Sequence, residues 1–388
     1  MLSKIKQLFT IETDLSSRVY GFDIMRGVGI LIVLYAHGRS KMPFFPAFND
    51  FISVIGFWLM DLFFVLSGFL IGMILIKFYE KEQTFNWKTA YNFWIRRWFR
   101  TLPNYYLVLF ITAILWAIDG KVMFFKLKFL AYMLFSHTVA LPPNYFLMES
   151  WTLCIEEWFY LLFPLLLLAG HQWIQRSGSK QGIKYNILVA IILFFTVPMA
   201  LRIGVYAAQP PLAWIDMSRM TFFRLDTIAV GILMAWINFY YKDILKQYRR
   251  TAGWLFLLLM AVYLAFFYIV LLPDLQRQTS FFSFTFFYLL SGLASLCLTV
   301  YMKEVKLEKP TFFARFITVI SLISYSLYIF HRSVVMHLVD KFFNPAPVSV
   351  IENVALFTLY VIASILLSIV VYKYYEHPMT ELREKLKK

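Results

Sequence analysis

The chain has 388 residues, of which 61% are hydrophobic and 15% charged, with a formal net charge of +15. The mean hydropathy of +0.67 and the repeated apolar runs of about 18 residues or more exclude a soluble globular domain. A β-barrel is excluded because its strands read as short alternating segments. The excess of lysine and arginine gathers in short loops, which is membrane topology rather than a nucleic-acid footprint.

Apolar runs fall at 18–38, 51–78, 103–118, 150–169, 184–207, 222–240, 252–272, 280–302, 315–340 and 350–375. A further run at 126–141 is shorter and carries Lys126 and Lys128. If it does not span, one side collects Lys77, Lys88, Arg96, Arg97 and Arg100, then Arg176 and Lys180, then Lys242, Arg249 and Arg250, then Lys303, Lys309 and Arg315. Loops on the other side hold few cations, such as Arg39 with Lys41, Arg219, Arg277 and Lys341. An extra crossing would invert every later loop. The expected fold is therefore an all-α polytopic bundle of about ten spans with both termini cytoplasmic, and 126–141 is interfacial or re-entrant. The first apolar run lacks a small-residue cleavage site, so no signal peptide is expected. The chain is expected to be one transmembrane domain with its core at about 18–380 and no fused soluble domain.

In the first span, Arg26 and His37 are eleven residues apart. At about 100° per residue they share a helix face, about 16 Å apart along the axis. An arginine there costs about 2.5–3.5 kcal/mol on insertion scales, so it points at a partner, a cavity or a substrate. Asp23, three residues before Arg26, is a candidate same-helix partner. The histidine is a group that exchanges a proton near neutral pH. In the second span, Ser67-Gly68 permits close backbone approach or a local kink. Arg96, Arg97 and Arg100 close the next loop, read either as a topological anchor or as a phosphate-binding patch.

Further along, Glu149, Glu156 and Glu157 enter an apolar run beside Trp151. Adjacent acids there are expensive. They serve either to orient His37 or to pair with an arginine such as Arg224. Ser324, Tyr328 and His331 make a polar stripe at i, i+4 and i+7, read as a cavity lining or as helix–helix hydrogen bonding. His137, His171, His337 and His377 carry little signal. No metal site is expected, and Cys154 and Cys297 suggest no disulfide framework.

In this order the segments resemble the acyltransferase-3 family of bacterial membrane O-acyltransferases. The blocks are Phe22-Asp23-Ile24-Met25-Arg26-Gly27 with His37, Phe63 to Ile71, Arg96-Arg97 to Pro103, Trp151 to Pro164, Phe223-Arg224-Leu225-Asp226 to Gly231, Ile323 to His331, and Glu376-His377-Pro378. Two departures stand out: Arg332-Ser333 where Trp-Pro is frequent, and Trp158 where Gln is frequent. The resemblance implies transfer of an acyl group, commonly acetyl from acetyl-CoA, to a hydroxyl of a carbohydrate or glycolipid acceptor of the cell envelope. It places the protein in the bacterial cytoplasmic membrane among its lipids, with no nucleic-acid partner and no permanently bound cofactor.

On that basis His37 is expected as general base or acyl carrier, oriented by Glu156 or Glu157. Arg26 is expected to bind the donor or stabilise negative charge, and Arg96, Arg97 or Arg100 to hold the CoA phosphates. Asp23, Trp151, Arg224, Asp226, Tyr328 and His331 are expected at the acceptor. Two rival readings are a relay to a separate periplasmic transferase and a proton-coupled transporter or flippase, since intramembrane Arg, His and Glu suit both.

Overall fold

The computed structural model describes residues 11, 18–121, 127–139, 146–177, 182–208, 214–271, 280–307, 311–343 and 349–385. Lys126, Lys180, Arg277 and Lys309, counted above among the loop cations, lie outside them. All regular structure among the described residues is helical. The principal helices are α1 (Tyr20–Gly38), α2 (Pro46–Glu82), α3 (Trp87–Ile118), α4 (Trp151–Ser177), α5 (Gly182–Ala208), α6 (Leu225–Tyr240), α7 (Arg249–Phe266), α8 (Phe287–Lys303), α9 (Phe312–Phe330) and α10 (Val350–Val371).

Eight of these, counted with their continuations, are long and apolar enough to cross a membrane, whereas α6 and α8 are shorter apolar helices. A 16-residue helix such as α6 rises only about 24 Å, less than the ~30 Å hydrocarbon core. Within the 126–141 run, the described helix is Leu127–Met133, seven residues. It rises about 10 Å and cannot span.

Local sequence explains where the helices begin. Asn86 accepts the Thr89 amide at 3.0 Å, and Thr311 accepts the Ala314 amide at 3.1 Å. Ser349 and Glu352 form a reciprocal capping box at the head of α10, satisfying two amides that the first turn leaves bare.

Packing follows from small residues. The expected close approach at Ser67-Gly68 occurs against α6: a Cβ on Gly68 would lie 2.1 Å from the Ile228 carbonyl oxygen, and one on Gly231 2.1 Å from that of Val65. With little hydrophobic drive between helices in lipid, such backbone contact is what holds them together. Helices α1 and α9 run parallel, joined at one end by Ser321 to Asp23 and at the other by His37 and His331. A π-turn, His331–Met336, interrupts the ninth helix immediately after Phe330. Such turns redirect side chains and cluster at functional sites.

Candidate active site

A cavity of about 500 Å³ opens between α1, α2, α3, α4 and α9. Arg26 lines it from α1, Ser67 from α2, Arg97, Arg100 and Thr101 from α3, Glu156 and Tyr160 from α4, and Ser324, Tyr325 and Tyr328 from α9. Helical spacing puts the α1 and α9 residues there: Arg26 and Ile30 are one turn apart, as are Ser324 and Tyr328. The remaining wall is apolar and includes Phe63, Leu70 and Ile74. A largely apolar chamber with a cationic end is thereby formed, in which a buried guanidinium acts on a bound anion more strongly than it would in water.

Within this chamber, Glu156 interacts with the Ser67 and Tyr160 hydroxyls and feels Arg100 and Arg97. Its neighbour Glu157 points elsewhere and accepts a hydrogen bond from Thr101 at 2.6 Å. Arg97 stacks 5.8 Å from the Phe93 ring centroid and 6.0 Å from that of Tyr160. Arg96 is exposed and does not line the cavity. Of the three loop arginines, only Arg97 and Arg100 therefore face the chamber.

Tyr328 lines the cavity, and its ring lies 6.1 Å from that of His331, which does not line it. The Tyr328 hydroxyl donates to the Glu149 carbonyl at 2.9 Å and accepts from Thr152 at 2.9 Å. Beyond this wall stand the two histidines. His37 Nδ1 lies 2.6 Å from His331 Nε2, with the rings 13° from parallel. His331 Nδ1 is 3.0 Å from the Leu327 carbonyl oxygen. A carbonyl only accepts, so His331 Nδ1 carries its proton. In the neutral pair, His331 Nε2 then accepts and His37 Nδ1 donates. The unprotonated nitrogen of the pair is thus His37 Nε2. His331 is fully buried, while His37 is partly exposed.

Several expectations are corrected. His37 is oriented by His331, not by Glu156 or Glu157, which sit at the depth of Arg26. Glu149, seven residues earlier, is the acid at the histidine end, where its Oε1 accepts the Ser333 amide at 3.2 Å. Asp23 pairs with Arg18, with Nε–Oδ2 at 2.7 Å, and accepts from Ser321 at 2.7 Å, rather than bonding Arg26. Trp151 is buried edge-on against Phe64, centroids 6.1 Å apart, and does not line the cavity. Trp158 donates to the Phe135 carbonyl at 2.8 Å.

Arg224 and Asp226 are also removed from the site. Arg224 forms an ion pair with Asp61, and Arg202 pairs with Asp226 at 2.6 Å. Ser291 donates to Asp61 at 2.5 Å, and the Tyr288 ring lies 4.4 Å from the Arg224 guanidinium and 5.0 Å from that of Arg202. Both arginines are 0% exposed, so this network clamps α2, α5, α6 and α8 together. Asp61 was legible as a lone acid within an apolar run but carried no motif.

A second buried histidine, His137, contacts Ser150 Oγ at 2.7 Å and Cys154 Sγ at 3.3 Å. It stacks on Tyr132, centroids 3.8 Å apart. Burial pushes its pKa down to about 3, so it is a neutral packing element. Among the described residues no group of three His, Cys, Asp or Glu side chains is arranged to hold a metal.

A family model described as an acyltransferase domain, acyltransferase-3, matches residues 19–373. The chain belongs to the acyltransferase-3 family. It is 30% identical over 182 residues to the peptidoglycan O-acetyltransferase OatA of Listeria monocytogenes, covering 42% of this chain and 27% of that protein. It is 25% identical over 341 residues to SACOL0978 of Staphylococcus aureus, provisionally named an O-acetyltransferase, covering 81% of this chain and 50% of the other. The chain therefore spans about half the length, or less, of these curated relatives. No solved structure matches. Family and helices together make it a multi-pass membrane protein with an acyltransferase-3 domain.

Proposed function

We propose that this acyltransferase moves an acyl group, acetyl in the simplest case, from acyl-CoA to a hydroxyl of a carbohydrate or glycolipid acceptor. Donor and acceptor would meet from opposite ends of the bundle. The Arg97–Arg100 end would face the cytoplasm, as would both chain termini, and the His37 end would face outward across ten spans of the bacterial cytoplasmic membrane. The observation that carries this reading is the alignment of a cationic chamber with a histidine pair across one tyrosine wall. Relatives named for O-acetylation supply the acyl group and the oxygen acceptor.

The 16 Å rise from Arg26 to His37 separates their roles. An oxyanion forms within hydrogen-bond distance of the groups that stabilise it, about 3 Å, and Arg26 is too far from His37 to act there. Arg97 and Arg100 would hold the CoA phosphates, since guanidinium groups grip phosphate in a forked geometry. Arg26, with Glu156 opposite, would bind the donor further in, and the pantetheine arm would run on towards Tyr328. Swinging the Tyr328 hydroxyl off Glu149 and Thr152 would admit the thioester to His37.

In the transfer, His37 Nε2 takes the proton of the acceptor hydroxyl as its oxygen attacks the thioester carbonyl carbon. The carbon–sulfur bond breaks, the carbon–oxygen ester bond forms, and the leaving thiolate recovers the proton as CoA-SH. His331 holds His37 in the tautomer that leaves Nε2 basic, the role a positioned acceptor plays towards a catalytic histidine. Comparative mass spectrometry of envelope glycans from cells with and without the gene tests the reading. Loss of ester-linked acyl groups is expected. Unchanged ester content would contradict it, and an altered distribution of glycan across the membrane without ester loss would indicate transport.

A further inference from the structure

The cations at the histidine end are not equivalent. Lys41 is paired with Asp340, and Lys341 with Asp119, which His337 also contacts at 3.0 Å. Arg39 instead donates to the Ala36 carbonyl at 2.7 Å. Among the described residues, neither Arg39 nor Arg332 has a carboxylate within 4.0 Å. Both flank the histidine pair in sequence: Arg39 follows His37 by two residues, and Arg332 follows His331 directly. Together with Arg219 they are the arginines whose charge reaches His37. Glu149, at the same end, feels Arg332 but accepts the Ser333 amide at Oε1. Arg39 and Arg332 thus set two guanidinium groups against the Glu149 carboxylate beside the candidate base.

We propose that the acceptor hydroxyl presented to His37 belongs to an anionic saccharide, whose carboxylate or phosphate is held by Arg39 and Arg332. The inference rests on the acyl-transfer reading above and names the acceptor class for that same site. A neutral sugar would leave the excess charge at the reacting centre unanswered, whereas a carboxylate or phosphate matches the fork of a guanidinium in shape and charge. Arg39 is exposed and Arg332 partly buried, so both can meet a ligand entering from the surface beside partly exposed His37. Lys41 and Lys341, by contrast, each already hold an aspartate.

The test uses the full chain in phosphatidylcholine nanodiscs, titrated with glucose, glucuronate and glucose 6-phosphate while tryptophan fluorescence and thermal stability are followed. The two anionic sugars are expected to bind at least about tenfold more tightly than glucose, a difference of the size one charged contact supplies. Arg332→Gln and Arg39→Gln should each remove most of that preference, and Arg332→Lys should restore part of it. Because a variant can fail to fold, the wild-type comparison is decisive without them: equal affinity for glucose and the anionic sugars, or no response to either, overturns the proposal. So does a preference that survives in Arg39→Gln and Arg332→Gln, or one that vanishes when phosphatidylglycerol is added, which would assign the arginines to lipid headgroups. Ester formation from labelled acetyl-CoA is measured in parallel. Transfer to neutral and anionic sugars alike sinks the acceptor class but leaves the acyltransferase reading, whereas charge-selective binding with no ester under any condition sinks that reading.

Discussion

His37 Nδ1 and His331 Nε2 are 2.6 Å apart, and the bond from His331 Nδ1 to the Leu327 carbonyl determines which way the proton between them points. A histidine on α1 is thereby given a defined tautomer by a histidine 294 residues later. The π-turn that opens at His331 places it there. His331→Gln retains an oxygen that accepts from His37 Nδ1, whereas His331→Leu does not. Acyl transfer by His331→Leu should fall about a hundredfold, within the range for losing effective general-base catalysis, while Gln recovers part of it. The loss should fall on kcat rather than KM for acyl-CoA, and the pH–rate profile should shift. A purely structural role would lower both variants' folded fraction and leave the profile in place.

The Asp61–Arg224 pair predicts a stability defect rather than a catalytic one. Breaking a buried ion pair from one side leaves an uncompensated charge and costs about 3–5 kcal/mol. Asp61→Leu and Arg224→Met alone should each lower the thermal unfolding temperature of the detergent-solubilised protein markedly. The double variant should recover most of the loss, because no buried charge then stands alone. An additive double variant would contradict the pairing.

The crossing of α2 and α6 predicts that Gly231→Val fails to pack. The new Cβ would fall 2.1 Å from the Val65 carbonyl oxygen, a contact only backbone movement relieves. Overpacking of this kind costs about 1–3 kcal/mol and often more. Gly204→Val, where nothing lies within 4 Å of the Cβ position, is the matched control. Yield and monodispersity in size-exclusion chromatography check the difference.

Asp119 ties the end of α3 to the α9 continuation through Lys341, and that hydrogen bond holds its carboxyl below the ordinary carboxylate range. A carboxylate with a depressed folded-state pKa stabilises above its unfolded pKa of about 3.9 and loses that contribution as pH falls through the folded value. Acidification from pH 5 to pH 3 should therefore lower wild-type thermal stability slightly more than that of Asp119→Asn. Equal losses in the two proteins would deny the contact any role.

Helical periodicity made much of this readable. The 3.6-residue repeat puts Arg26 on an inward face and gathers Ser324 and Tyr328 on one stripe, and both stripes line the cavity. Loop charge identified 126–141 as a segment that does not span, in keeping with its seven-residue helix. What periodicity does not encode is vertical register between helices. Glu149 and Glu156 share a face of the same chain segment yet differ by about 10 Å in depth, and only α4 docking against α9 decides that Glu149, not Glu156, stands near the histidines. The partners of His37 and of Arg224 are likewise long-range matters, set by how α9 meets α1 and how α2 meets α6. Motif order alone grouped Arg224 and Asp226 with the acceptor, whereas their charges are consumed in a clamp.

The most direct measurement is transfer of labelled acetyl from acetyl-CoA by the purified full-length protein in nanodiscs, comparing wild type with His37→Ala against envelope glycan acceptors. The variant should insert, fold and bind acetyl-CoA as wild type does, yet form ester at a rate lower by about 10²–10⁴-fold. Undiminished ester formation by a folded His37→Ala protein would contradict the account.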